Sequence, residues 1–92
     1  MFLQIGKKYP EITGPMSDAF STELNEVLER SDFSELVLDF NGTKIINSMA
    51  MGALFSVNEK LKQHGKSLSI INAGEKVTHL LHMVNMDELL QS

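Results

Sequence analysis

Two short apolar segments separated by a helical pattern place the strongest constraint on this fold. LVLDF, residues 36–40, and SLSII, residues 67–71, are short and rich in bulky or β-branched residues, as strands are. The segment between them predicts a helix over residues 48–63, whose inward stripe consists of Ala50, Leu54, Val57 and Leu61. A strand–helix–strand order predicts two parallel strands in the sheet interior, joined by a right-handed crossover. Because LVLDF is nearly all apolar, we predict that both of its faces are covered.

The remaining pattern extends this unit to a β-β-α-β-α-β-α order. Residues 2–5 and 9–13 predict two early strands, which we expect to pair antiparallel at one side. Ser17 is predicted to cap a first helix. The inward stripe of that helix is Phe20, Leu24, Val27 and Leu28, and that of a third helix is Val77, Leu80, Leu81 and Val84. The predicted fold class is α/β: a single domain over residues 1–92, with a mostly parallel four-stranded sheet and three helices that cover one face more than the other.

Asn41-Gly42 leaves one alternative open in this topology. The pair is typical of a two-residue hairpin turn, which would make residues 43–46 an antiparallel return strand. This is the lesser interpretation, because the segment is brief and runs directly into a helical pattern.

Composition excludes several classes of function. The chain has 92 residues, a net charge of −4 and no cysteine. A dispersed acidic balance argues against nucleic-acid binding, which needs a basic patch. No apolar run reaches the roughly 20 residues that span a bilayer, and the N-terminus lacks the order of a signal peptide. We therefore expect a cytoplasmic protein without direct membrane insertion.

The segment IINSMAMGAL, residues 45–54, contains the main candidate site. Asn47 or Ser48 can cap the helix that follows, since either side chain can accept from its first backbone N–H groups. A helix N-terminus also stabilises an added phosphate, so Ser48 suits a phosphoacceptor as well as a cap. Residue chemistry alone leaves both roles open.

Two stretches, LVLDFNGTKIINSMAMGAL and SLSIINAGEKVTHLL, together with NMDELL, resemble the STAS domain, a family named for sulphate transporters and anti-sigma factor antagonists. The family motif Asp-Ser-Ser-Gly-(Leu or Ile)-Gly corresponds to residues 47–52 here. Asn47, Met49 and Ala50 depart from it, and we expect the family's C-terminal strand and helix to be missing. The resemblance is closest to the bacterial antagonists and implies that a partner kinase phosphorylates Ser48.

The resemblance implies a non-catalytic partner-switching regulator in signal transduction and transcription regulation. Its partners would be a serine kinase or anti-sigma-type protein and a serine phosphatase. The predicted partner-binding residues are Asn47, Met49, Met51, Gly52 and Phe55. The alternatives are a constitutive STAS subunit of a membrane-associated transport complex or signalling scaffold, and a module that binds a small ligand or nucleotide.

Other chemistry has little support in the sequence. We find no catalytic arrangement, and we predict no enzyme activity, no cofactor and no metal site. His79 and His82 are three residues apart on the third predicted helix, and we expect two solvated histidines. Asp39 ends the central strand, where α/β sheets present functional groups, but a loop-capping role is at least as reasonable.

Overall fold

A computed structural model describes residues 1–30 and 32–91 of the chain. Its strands are β1 (Phe2–Gln4), β2 (Glu11–Ile12), β3 (Glu35–Asp39), β4 (Ile45–Ile46), β5 (Ser67–Ile71) and β6 (Leu90–Gln91). Its α-helices are α1 (Ile5–Lys8), α2 (Pro15–Leu28), α3 (Ser48–Gln63) and α4 (Glu75–Met83), and a 3-10 helix covers Asp87–Leu89.

The main sheet has four strands in the order β1-β3-β5-β6, and every neighbouring pair is parallel. Leu36 pairs with Leu68 and Leu38 with Ile70, so β3 and β5 are parallel interior strands joined through α3, as predicted. The predicted antiparallel pair of early strands is wrong. β1 joins β3, whereas β2 forms a second, two-stranded parallel sheet with β4. The two early strands do not pair with each other because α1 lies between them in the chain and changes its direction before β2.

The hairpin alternative is also excluded by the turn after β3. The backbone N–H of Thr43 donates to the carbonyl of Phe40 at 2.9 Å, and Gly42 adopts a φ of 106°, which favours glycine. The chain then runs along β2, because the N–H of Lys44 donates to the carbonyl of Pro10 at 2.7 Å. Ile45 therefore pairs with Glu11 rather than with β3.

The main sheet is wound in one direction. Its strands lie side by side in the same order that they have along the chain. Right-handed crossovers in one direction place α2, α3 and α4 on the same face. The side chains on this inner face are at most 6% exposed: Leu36, Leu38, Phe40, Leu68 and Ile70. The prediction that helices cover mainly one face is confirmed.

The opposite face of β3 is not covered. Glu35 is exposed, and Val37 and Asp39 are only partly buried, so the strand alternates between core and surface. The prediction that both faces of LVLDF are buried is therefore wrong. Val37 is an apolar residue that points to the outer face. The sequence of β3 therefore lacks the regular apolar–polar alternation that Glu35 and Asp39 alone would show.

The helices match the predicted stripes with two corrections. Helix α3 spans the predicted residues, and its predicted inward side chains are buried. Helix α2 begins at Pro15 rather than at Ser17, because proline suits the first helical position. The Ser17 hydroxyl is buried and donates to the carbonyl of Gly14 at 2.6 Å. Val84 is 45% exposed, because α4 ends one residue before it.

The C-terminal end of the chain adds an edge strand to the sheet. Ile70 pairs with Leu90 and Ile71 with Gln91, both in parallel register. A strand near the C-terminus is therefore present as β6, contrary to the expectation that a C-terminal strand was missing. Two residues are too few for a strand pattern to be recognised in the sequence.

Candidate functional site

The junction between β4 and α3 is held in place from both sides. The backbone N–H of Asn47 donates to the carbonyl of Ile12 at 3.0 Å, which continues the pairing of β2 with β4. The Asn47 side-chain oxygen accepts from the backbone N–H of Ala50 at 2.9 Å, with an extended backbone at Asn47. Asn47 is therefore the N-cap of α3, and of the two predicted caps it is the one that forms.

Ser48 is the first residue of α3, and its side chain is exposed. Within the described part of the chain, the backbone N–H groups of Ser48 and Met49 have no hydrogen-bond acceptor. Unsatisfied amides and the positive end of the helix dipole favour an anion at this position. The site is therefore a presented hydroxyl beside two amide donors, and a phosphate ester at Ser48 would suit it.

The predicted partner-binding residues form one side of the N-terminal half of α3. Met49 is 53% exposed beside Ser48, and Phe55 is 55% exposed about two turns further along the same side of the helix. Gly52 lies between them, with open space where a Cβ would be. Met51 is half-buried and packs against the core, so it forms the border of this surface. We call Ser48, Met49, Gly52 and Phe55 the α3 surface.

The core fixes the orientation of the α3 surface. The opposite side of the helix packs against α2 and β5. The buried residues on that side are Ala50, Leu54, Val57, Asn58 and Leu61. Because this stripe is anchored in the hydrophobic core, the helix cannot rotate without exposing it. The α3 surface is thus presented on a rigid element.

Met16 is a neighbouring residue to which the sequence analysis assigned no role. It is 43% exposed at the second position of α2, as Met49 is at the second position of α3. Both helices follow directly from the paired strands β2 and β4, so they begin at the same end of the molecule. The sequence signal that could have identified Met16 is the methionine in the first turn of each of two adjacent, parallel helices.

Asp39 serves the loops at the end of the main sheet. Its Oδ1 accepts from the backbone N–H of Asn41 at 2.9 Å and from Nδ2 of Asn72 at 3.1 Å. Asn72 has a φ of 57°, a conformation that asparagine tolerates. The geometry supports the loop-capping interpretation of Asp39.

The histidines of α4 lie on the surface. His79 and His82 are both exposed, as predicted, and Nδ1 of His82 lies 3.7 Å from Oδ2 of Asp87. Among residues 1–30 and 32–91, no group of three or more potential ligands is arranged to hold a metal ion.

Comparison with known families agrees with this fold. The family model for the STAS domain matches residues 10–91. The chain therefore belongs to the STAS domain family, which includes modules of sulphate transporters and of anti-sigma factor antagonists. No curated protein matches the chain. None of the helices described here combines the length and the apolar character needed to cross a bilayer.

Proposed function

We propose that this protein is a non-catalytic partner-switching regulator of the anti-sigma factor antagonist type. Its α3 surface binds a serine kinase or anti-sigma-type protein, and phosphorylation of Ser48 by that partner ends the interaction. A serine phosphatase restores the binding form. The protein would thereby act in signal transduction and regulate transcription.

One observation carries the proposal: Asn47, not Ser48, caps α3. A serine needed as the cap would have its oxygen occupied by a backbone N–H. Here the Ser48 hydroxyl is exposed and is not used to hold the helix. The residue can thus be modified without removing the hydrogen bond that starts α3.

The surroundings of Ser48 explain how a phosphate would change binding. Met49 and Phe55 supply apolar area to a docking partner, and methionine's flexible side chain adapts to different surfaces. A phosphate adds about −1.5 to −2 charge at the N-terminal end of this area. Docking would then bury that charge against an apolar partner surface, which costs free energy unless cations pair with it. Phosphorylation therefore weakens binding without disturbing the fold.

The direct test is phosphorylation by the cognate serine kinase with ATP and Mg²⁺, and mass spectrometry to locate the phosphate. We expect one phosphate on wild type at Ser48 and none on Ser48→Ala. Ser56→Ala is the matched control, because Ser56 is an exposed serine two turns further along α3. Modification at Ser56, or no modification of wild type, contradicts the proposal and favours a constitutive STAS subunit.

A further inference from the structure

The outer face of the main sheet lacks a covering layer. Parallel sheets are almost always covered on both faces, but here the one-directional winding places α2, α3 and α4 on the inner face. No crossover of the described chain can supply the second layer. We propose that this outer face binds an amphipathic helix with basic residues, contributed by a partner protein.

The outer face presents an apolar stripe to such a helix. Phe2 pairs in register with Val37, and both point to the face opposite the core. Ile71 on β5 pairs with Asp39, which is two residues beyond Val37 on β3. Ile71 therefore lies diagonally opposite Val37 on the same face and continues the stripe. Phe2 is 53% exposed, and Val37 and Ile71 are partly exposed. The stripe therefore crosses three strands and presents apolar area that remains unburied.

Two carboxylates bracket the centre of this stripe. Glu35 and Asp39 lie on the same face of β3, on either side of Val37. Oε2 of Glu35 accepts from the Ser69 hydroxyl at 3.3 Å, and Oδ1 of Asp39 accepts from Asn72 at 3.1 Å. These bonds restrain the two carboxylates, and among the described residues the second oxygen of each is unused. Each can accept from a cationic donor.

The negative charges of Glu35 and Asp39 favour a basic partner over a second copy of this chain at the outer face. A second copy of the chain would bring Glu35 and Asp39 towards an identical acidic face, and like charges in a desolvated contact repel. A basic partner instead pairs with both carboxylates while its apolar residues cover Val37. A helix is the layer that normally packs on a parallel sheet.

The strand geometry sets the spacing of the partner's basic residues. Glu35 and Asp39 are four residues apart on a strand, which is about 13 Å. On an α-helix, positions seven or eight residues apart share a face and are separated by about 11–12 Å. The matching helix therefore carries two cations seven or eight residues apart, with apolar residues on the same face between them.

The test uses two synthetic helical peptides of identical composition and the full chain labelled with ¹⁵N. One peptide has lysines eight residues apart with leucines on the same face between them, and the other has its lysines moved to the opposite face. We expect the first peptide to shift amide signals of β1, β3 and β5. The second peptide should bind at least about tenfold more weakly than the first. Equal binding of both peptides, or shifts centred on the α3 surface, would overturn the proposal.

Variants of the protein separate this surface from the one around Ser48. Val37→Lys, and the milder pair Glu35→Gln with Asp39→Asn, should each weaken the first peptide about tenfold while circular dichroism remains unchanged. Ser56→Lys, an equally exposed change on α3, and Ser48→Asp should leave peptide binding unaltered. Unchanged binding by the charge-neutralised pair, or self-association of wild type through Phe2 and Val37, contradicts the assignment of a basic helix.

Discussion

The side-chain oxygen of Asn47 accepts a hydrogen bond from the backbone N–H of Ala50 at 2.9 Å. This contact assigns the start of α3 to Asn47 and leaves the neighbouring Ser48 hydroxyl without a structural task. The residue that holds the helix and the residue proposed to switch binding are thus adjacent but separate. The two roles can be tested independently.

Stability measurements on two alanine variants test that division. Asn47→Ala removes the cap and should lower the free energy of unfolding by about 1 kcal/mol. Ser48→Ala should change it by less than about 0.5 kcal/mol, as for an exposed surface residue. Urea unfolding monitored by circular dichroism gives both values. A larger loss for Ser48→Ala than for Asn47→Ala would mean that Ser48 caps α3.

Truncations at adjacent positions test the rotation of α3. Leu54 is fully buried and Phe55 is 55% exposed. Leu54→Ala should destabilise the protein by about 2–5 kcal/mol, because it removes packed methyl groups and leaves a cavity. Phe55→Ala should cost far less stability while it weakens partner binding. Similar losses of stability in the two variants would show that the helix is oriented differently.

Two glycine variants have opposite expected effects on stability. Gly52 lies in an exposed helix interior with open space around it, so Gly52→Ala should stabilise by about 0.5–1 kcal/mol. The same variant should weaken partner binding, since its methyl group lies on the α3 surface. Gly6→Ala should destabilise by roughly 1–3 kcal/mol or more, because its Cβ would overlap the carbonyl of Asn41. Thermal unfolding distinguishes the signs, and stabilisation by Gly6→Ala would contradict the close approach.

Tyr9 provides a pH-dependent test of the core near α2. Burial, the 2.6 Å hydrogen bond from its hydroxyl to Glu23 and the charges of Glu23 and Glu26 raise the pKa of Tyr9 to about 12. The ordinary value is about 10, so the folded state holds this proton more tightly than the unfolded state. The resulting stability is complete below pH 10 and is lost as the pH rises towards 12.

The measurement is a titration of phenolate absorbance, which is unambiguous because Tyr9 is the only tyrosine. Glu23→Gln should lower the Tyr9 pKa towards its ordinary value without reaching it, since burial remains. A midpoint near pH 10 in the folded wild type would contradict the buried Tyr9–Glu23 contact.

Local patterns were enough to predict α3 and the two central strands. The stripe of Leu54, Val57 and Leu61 has a clear helical period, and Gly65, with a φ of 70°, follows the end of the helix as expected. These features depend on neighbouring residues along the chain. They are therefore present in the sequence itself.

Long-range pairing was beyond the reach of these patterns. The sequence does not say which strand Phe2 joins, because that depends on the path of α1 and α2. Leu90 belongs to a strand too short to have a period. The bare face of β3 was concealed because Val37, an apolar residue, occupies an outward position. At the site, periodicity located Ser48 at a helix start, but only the hydrogen bond of Asn47 decided which residue caps it.

The most direct test of the central claim is the dissociation constant for the cognate serine kinase or anti-sigma-type protein, measured by calorimetry. Wild type, Ser48→Asp and the control Ser34→Asp are compared at the same salt concentration, because Ser34 is an exposed serine just before β3 and away from the α3 surface. A partially buried charge should weaken binding by Ser48→Asp about tenfold or more, while Ser34→Asp stays close to wild type. Equal dissociation constants for wild type and Ser48→Asp would contradict the switch at Ser48.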